Sequence, residues 1–174
     1  MTSSGVIGVI GPIAVGDAKL YVDGFVNGAA AQDSGVAVNV NYIESFSDVA
    51  LAAEAAEGHI ANGADILTGT AQMMVGATGV AAENGARWFG TQSNQTSLGE
   101  DMVVASQVYK WETALQGIVN GVKNGDLGGS AHTINLENGG IVIEFNDAVD
   151  AGDARAIGEG LIADIKARMV DTGA

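Results

Sequence analysis

Enzymatic chemistry needs a nucleophile, an acid–base pair or a metal cage, and this chain offers few candidates for any of them. Its two histidines, His59 and His132, lie far apart in sequence, and His59 falls inside a helical pattern. No metal cage is read from them, because acids would have to complete it without a ligand spacing that supports them. Cysteine is absent, which removes thiol catalysis and disulfides together. None of the serines sits in the G-x-S-x-G turn that exposes a nucleophile. Gly11-Pro-Ile-Ala-Val-Gly16 has the G-x-x-x-x-G spacing of a phosphate loop, but Asp17 stands where the lysine belongs and would repel a phosphate. Gly5, Gly8 and Gly11 miss the dinucleotide spacing. No enzyme, metal or cofactor emerges, and an enzyme on a flavodoxin-like sheet is the least favoured reading.

Charge is the strongest compositional signal. Across 174 residues there are 7 Lys+Arg against 21 Asp+Glu, a formal net charge of −14. Such a chain has no basic patch for phosphate, so nucleic acid and anionic membranes are not the expected partners. The acids are scattered and do not form a tail, which reads as a solvated acidic coat of the kind suited to high salt. No apolar run approaches the ~18–20 residues of a membrane span. The opening MTSSGVIGVIG lacks the basic and apolar regions of a secretory signal.

The elements that would position any site follow a strand–helix rhythm. Val6 to Ile10 is a buried strand ended by Gly11-Pro12, and Val22, Phe25, Val26 and Ala29 mark the next helix face, with Asp17 as its expected N-cap. Val36 to Tyr42 alternates as a strand. Helices over Asp48–Ala61 and Val75–Asn84 flank a strand at Ala64–Leu67, and strands follow at Arg87–Phe89 and Met102–Ser106. Repeated strand–helix units predict an α/β fold, a parallel sheet with helices on both faces. The rhythm then changes. Trp111–Val122 predicts an amphipathic helix, His132 to Phe145 (HTINLENGGIVIEF) predicts a hairpin around Asn138-Gly139, and Asp153–Met169 predicts a last helix. This gives a C-terminal helix–hairpin–helix segment.

In an open parallel sheet ligands bind beyond the carboxyl ends of the strands. The loops there are Gly11–Gly16, Glu44–Ser47, Gly69–Met74 and Thr91–Ser97, carrying hydroxyl, amide and aromatic groups suited to a neutral polar ligand. Phe46 stands out among them. With Ser47 as N-cap, Phe46 and Leu51 take the positions of a hydrophobic staple; alternatively the ring is a stacking surface for a ligand. Local physics alone leaves both open.

The stretches GVIGPIAVGDAKLYVDGFVNGA, YIESFSDVALAAEAA, NGADILTGTAQMMVGATGVAAENG and WFGTQSNQ, followed by VVASQVYKWETAL, together resemble the basic membrane protein family. These are substrate-binding proteins of ABC importers, among them purine nucleoside receptors. The resemblance runs in order from about Gly5 to Gly129. It implies one lobe of a type I periplasmic-binding-protein-like fold, an extracytoplasmic location, a nucleoside-like ligand and an ABC permease as partner. Carried over by position, Phe46 resembles the ring that stacks on the base. The loop with Gly69, Thr70, Gln72 and Gly76 resembles the one that approaches the ribose, and Lys110 resembles the lysine that reaches the ligand near the hinge. Gln92, with Asn94 beside it, falls where the family has an aspartate gripping ribose hydroxyls. An amide there is a weaker acceptor than a carboxylate. Gln72 and Met73 replace small residues and narrow the ribose loop.

Family chains carry a further segment ahead of the strand at Val6. The resemblance therefore implies a ligand-binding lobe over 5–103, with 104–174 as the hinge strand and return segment of an incomplete second lobe. The competing expectation is a structural module that forms homo-oligomers through orphaned apolar helices, with Leu115 and Ile118 or Leu161 and Ile165 at the contact.

Overall fold

The computed structural model describes residues 1–170 and 172. Val6–Gly11 forms strand β1, and helix α1 (Gly16–Gln32) leads to β2 (Ala37–Tyr42). Helix α2 (Val49–Ala61), β3 (Ile66–Gly69), α3 (Met74–Glu83), β4 (Arg87–Gln92) and β5 (Val103–Tyr109) follow. Helix α4 (Glu112–Lys123), β6 (Ile141–Phe145) and α5 (Ala154–Lys166) complete the chain. The six strands form one sheet in the order β2-β1-β3-β4-β5-β6. The pairs from β2 to β5 are parallel and β6 lies antiparallel against β5. The α/β class read from the strand–helix rhythm is the fold of the molecule.

Two cores lie on opposite faces of the sheet. On one, Val9 and Ile7 of β1 and Ile66 of β3 meet Val22, Tyr21 and Phe25 of α1. On the other, α2 and α3 pack through Ala52, Ala56, Ala77 and Ala81 over Ile10, Leu67, Trp88 and Val103. Alanine dominates this second core because the backbones come very close: a Cβ at Gly76 would lie 2.1 Å from the carbonyl oxygen of Val49. A Cβ at Gly8 would meet the His59 ring at 2.5 Å, so β1 and α2 also depend on a missing side chain. His59 is buried in the last turn of α2 as a core residue, and burial lowers its pKa. Trp88 is fully buried, and its indole N–H donates to Gln95 Oε1 at 2.7 Å.

Two expectations are corrected. The hairpin over 132–145 does not form: only Ile141–Phe145 is a strand, and its partner is β5. Asn135 and Asn138 exchange side-chain-to-main-chain bonds of 3.0 and 2.8 Å, and Asn138 also accepts from Gly140 N. Asparagine side chains thus satisfy the backbone groups that a second strand would have paired. The exposed edge of β5 then takes β6, with Gln107 opposite Ile143 and Tyr109 opposite Ile141. The second correction concerns Asp17. Helix α1 starts at Gly16 with Val15 at the N-cap position, and Asp17 lies inside the first turn, where its charge suits the helix dipole.

Beyond β5 the packing thins. Neither α4 nor α5 buries a residue, and Trp111, Leu115, Ile118, Val119 and Val122 are exposed along α4. The chain leaves β5 at Lys110 and returns at Gly140, where Lys110 N donates to Gly140 O at 2.8 Å.

Candidate functional site at the carboxyl ends of the strands

Parallel strands deliver the loops after β1, β2, β3 and β4 to one edge of the sheet, together with the residues that follow β5. The loop after β2 is built from its own hydroxyls. Ser45 Oγ accepts from Ser47 N at 3.3 Å and from Asp48 N at 3.0 Å, a turn that leads straight into α2. Asp48, not Ser47, caps the helix, its carboxylate accepting from Leu51 N at 3.0 Å. That register makes Ser47 the residue before the cap, so Phe46 and Leu51 do not occupy staple positions. Both side chains are exposed, Phe46 at 48%. The Phe46 carbonyl accepts from Met73 N at 3.2 Å, which fastens this loop to the one after β3.

In the loop after β3, Thr70 is buried and Gln72 is exposed. Gly69 and Gly76 stand at close approaches: a Cβ on Gly69 would lie 2.1 Å from Met74 Sδ and 2.6 Å from Ile10 O. Gln92 ends β4 and Asn94 follows it, and both are exposed. Asn94 is locked at both ends of its amide, with Oδ1 accepting from Thr96 N at 3.0 Å and Nδ2 donating to Glu144 Oε2 at 2.8 Å. Lys110 Nζ donates to the other oxygen, Glu144 Oε1, at 2.8 Å. The hydrogen bond that Lys110 donates to Glu144 raises the Lys110 pKa, and the bonds from Lys110 and then Asn94 lower that of Glu144. The structure therefore joins Phe46 to the 70–73 loop, and Asn94 to Lys110 through Glu144.

Sequence reasoning missed two features of this edge. Glu144 carried no local signal, because its role depends on β6 pairing with β5 rather than with its own upstream segment. The second is backbone strain. Four non-glycine residues among those described have positive φ, and three stand here: Glu44 (54°), Ala71 (85°) and Gln92 (70°), one in each of three successive strand-end positions. Such conformations cost of order 1–3 kcal/mol each and gather at ligand clamps and active sites. An alanine gives no hint of it in sequence.

Over residues 1–161 the chain matches the family described as ABC transporter substrate-binding protein, PnrA-like. It belongs to that family. None of the curated proteins matches it significantly. Among solved structures it is similar to an ABC-transporter solute-binding protein from Conexibacter woesei (19% identity, TM-score 0.77), covering 97% of this chain and 57% of that one. It is also similar to a transcriptional activator of the comK gene from Bacillus halodurans, at 19% identity and a TM-score of 0.81 over 94% of this chain and 57% of that one. A third is an ABC-transporter solute-binding protein from Aeropyrum pernix, at 16% identity and a TM-score of 0.73 over 95% of this chain and 56% of that one. At these identities the structural likeness speaks for the fold. The chain spans less than two thirds of the length of each of these proteins. The family is one of substrate-binding proteins, which bind their ligands without transforming them. Among the described residues no helix is long and apolar enough to cross a membrane.

Proposed function

We propose that this chain is the ligand-facing lobe of an extracytoplasmic solute-binding protein that hands a nucleoside-like, uncharged polar molecule to an ABC importer. The observation that carries the reading is Phe46. A large aromatic ring stands half exposed at the carboxyl edge of a parallel sheet, in a loop bonded to its neighbour, with no staple to explain it. Thr70, Gln72, Gln92 and Asn94 offer hydroxyl and amide partners for a sugar, and Lys110 stands at the exit from β5. Gly69, at the end of β3, and Gly76, in the first turn of α3, let the 70–73 loop between them lie tight against β1 and the start of α2. In this reading residues 5–103 make the lobe, and β5 and β6 bind 104–174 to it as the hinge and return segment. Closure against a second lobe would complete the site.

Titration calorimetry with inosine, adenosine and guanosine tests the proposal. Binding should weaken by about 1–3 kcal/mol in Phe46→Ala if the ring stacks on the base. Absence of heat with all three nucleosides, from a folded and monodisperse sample, would count against capture by this chain.

A second reading, an α/β module that associates through its apolar helices, is favoured by the exposed stripe of α4 and by Ile157 and Leu161 of α5. Light scattering decides it, since a monomer at high concentration removes that reading.

A further inference from the structure

We infer that Glu144 is the positioning residue of the ligand edge, holding Lys110 and Asn94 in place and keeping the edge electrically closed to anions, so that it takes uncharged ligands. The inference rests on the solute-binding reading above. Its geometric basis is a carboxylate with one oxygen for each partner: Lys110 Nζ at 2.8 Å on Oε1 and Asn94 Nδ2 at 2.8 Å on Oε2. The three residues come from three separate segments: Lys110 just after β5, Asn94 in the loop after β4, and Glu144 next to the last residue of β6. Glu144 lies opposite Ser106 in the β5–β6 ladder, and Ser106 Oγ accepts from Gln95 N at 3.1 Å, so the same pair of strands also fixes the residue after Asn94.

Two consequences follow from the chemistry. First, Asn94 has its oxygen on Thr96 N and one amide hydrogen on Glu144, which sets its free amide hydrogen in one direction. A donor aimed in advance loses less freedom when a ligand arrives. Second, the charges at this edge are unbalanced in one sense. Among residues 12–15, 43–48, 70–73, 93–95 and 110–111 the charged side chains are Glu44, Asp48 and Lys110. The single cation is already paired with Glu144. A phosphorylated ligand would find no free positive charge and would face two carboxylates; a neutral molecule bearing hydroxyls and amides faces no such penalty.

The test compares wild-type protein with Glu144→Gln and Glu144→Asp, each first shown to be folded by its thermal melt. Two readouts are taken: the side-chain NMR signals of Asn94 and Lys110 without ligand, and affinities for inosine and inosine 5′-monophosphate. In Glu144→Gln both signals should move, and the preference for inosine over the monophosphate should fall about tenfold, equivalent to roughly one 1.4 kcal/mol step. Glu144→Asp keeps the charge but cannot span both partners, so it should keep the preference while the Asn94 signal moves. Unmoved Asn94 and Lys110 signals in Glu144→Gln would overturn the positioning role. An unchanged preference in a variant that still binds inosine would overturn the exclusion of anions. Binding of neither ligand by wild type would sink the solute-binding reading and the selectivity built on it, while the NMR signals still decide the positioning.

Discussion

Helices α2 and α4 are nearly equal in length, at 13 and 12 residues, and they meet opposite fates. Helix α4 has the cleaner two-faced pattern, with Leu115, Ile118, Val119 and Val122 along one side, yet it buries nothing. Helix α2 is rich in alanine, with little contrast between its faces, and it buries Ala52, Ala55, Ala56 and His59. Amphipathicity states that a face wants covering; it does not supply the cover. Helix α2 is covered because small side chains, and the glycine at position 76, let α3 and β1 come close. Large aliphatic side chains on α4 would need a broad apolar surface opposite them, and among the described residues none stands there.

Three measurements can break or sharpen this contrast. The largest effect belongs to the covered region. Trp88→Ala removes a fully buried ring and takes the donor from Gln95 Oε1, and should cost about 3–5 kcal/mol in urea unfolding. A loss under about 1 kcal/mol would mean that the sheet's second face is looser than described. Salt comes next. The acidic coat covers both regions, and we propose that it is an adaptation to high salt, so the melting temperature should rise between dilute buffer and about 2 M KCl, well beyond Debye screening. An unchanged melt would remove that reading. The smallest effect belongs to α4. Leu115→Ala, at a side chain 55% exposed, should change stability by less than about 0.5 kcal/mol in the isolated chain. A larger loss would show that the stripe is covered in solution, by a second copy or by a rearranged α5.

The same contrast explains what the sequence disclosed. The five parallel strands and α1 to α3 were legible because their signals are local: short apolar runs, turns at Gly11-Pro12 and Asn62-Gly63, and helical spacing at Val22, Phe25 and Val26. The strand-end loops followed from topology, while Gln92 and Asn94 were singled out only by the family resemblance, and Phe46 by its size in a short loop and by that resemblance. Two of the errors share one cause. Asn138-Gly139 is a strong local turn signal, but a hairpin also needs two strands that prefer each other, and the free edge of β5 outcompeted residues 132–136 for β6. Glu144 was hidden by that same non-local choice. The cap of α2 was missed by one residue because Ser47 and Asp48 are both good caps, and only the Ser45 turn decides between them. Ala71 was unreadable, since nothing about an alanine announces a positive φ.

The single bond between Lys110 N and Gly140 O has a consequence for how the chain can be cut and rejoined. Everything from Trp111 to Gly139 departs from and returns to one spot on the sheet, so topologically it is a detour rather than a link. Shortcutting it with a tight turn would leave the strand order and all five ladders intact, and would keep Glu144 beside Lys110. The detour carries the exposed apolar stripe of α4, while the sheet carries the candidate site. The two properties that suggest different roles for this protein therefore lie on different segments, which meet at Lys110 and Gly140, at Asn135 O accepting from Ile141 N, and at Glu137 paired with Arg168.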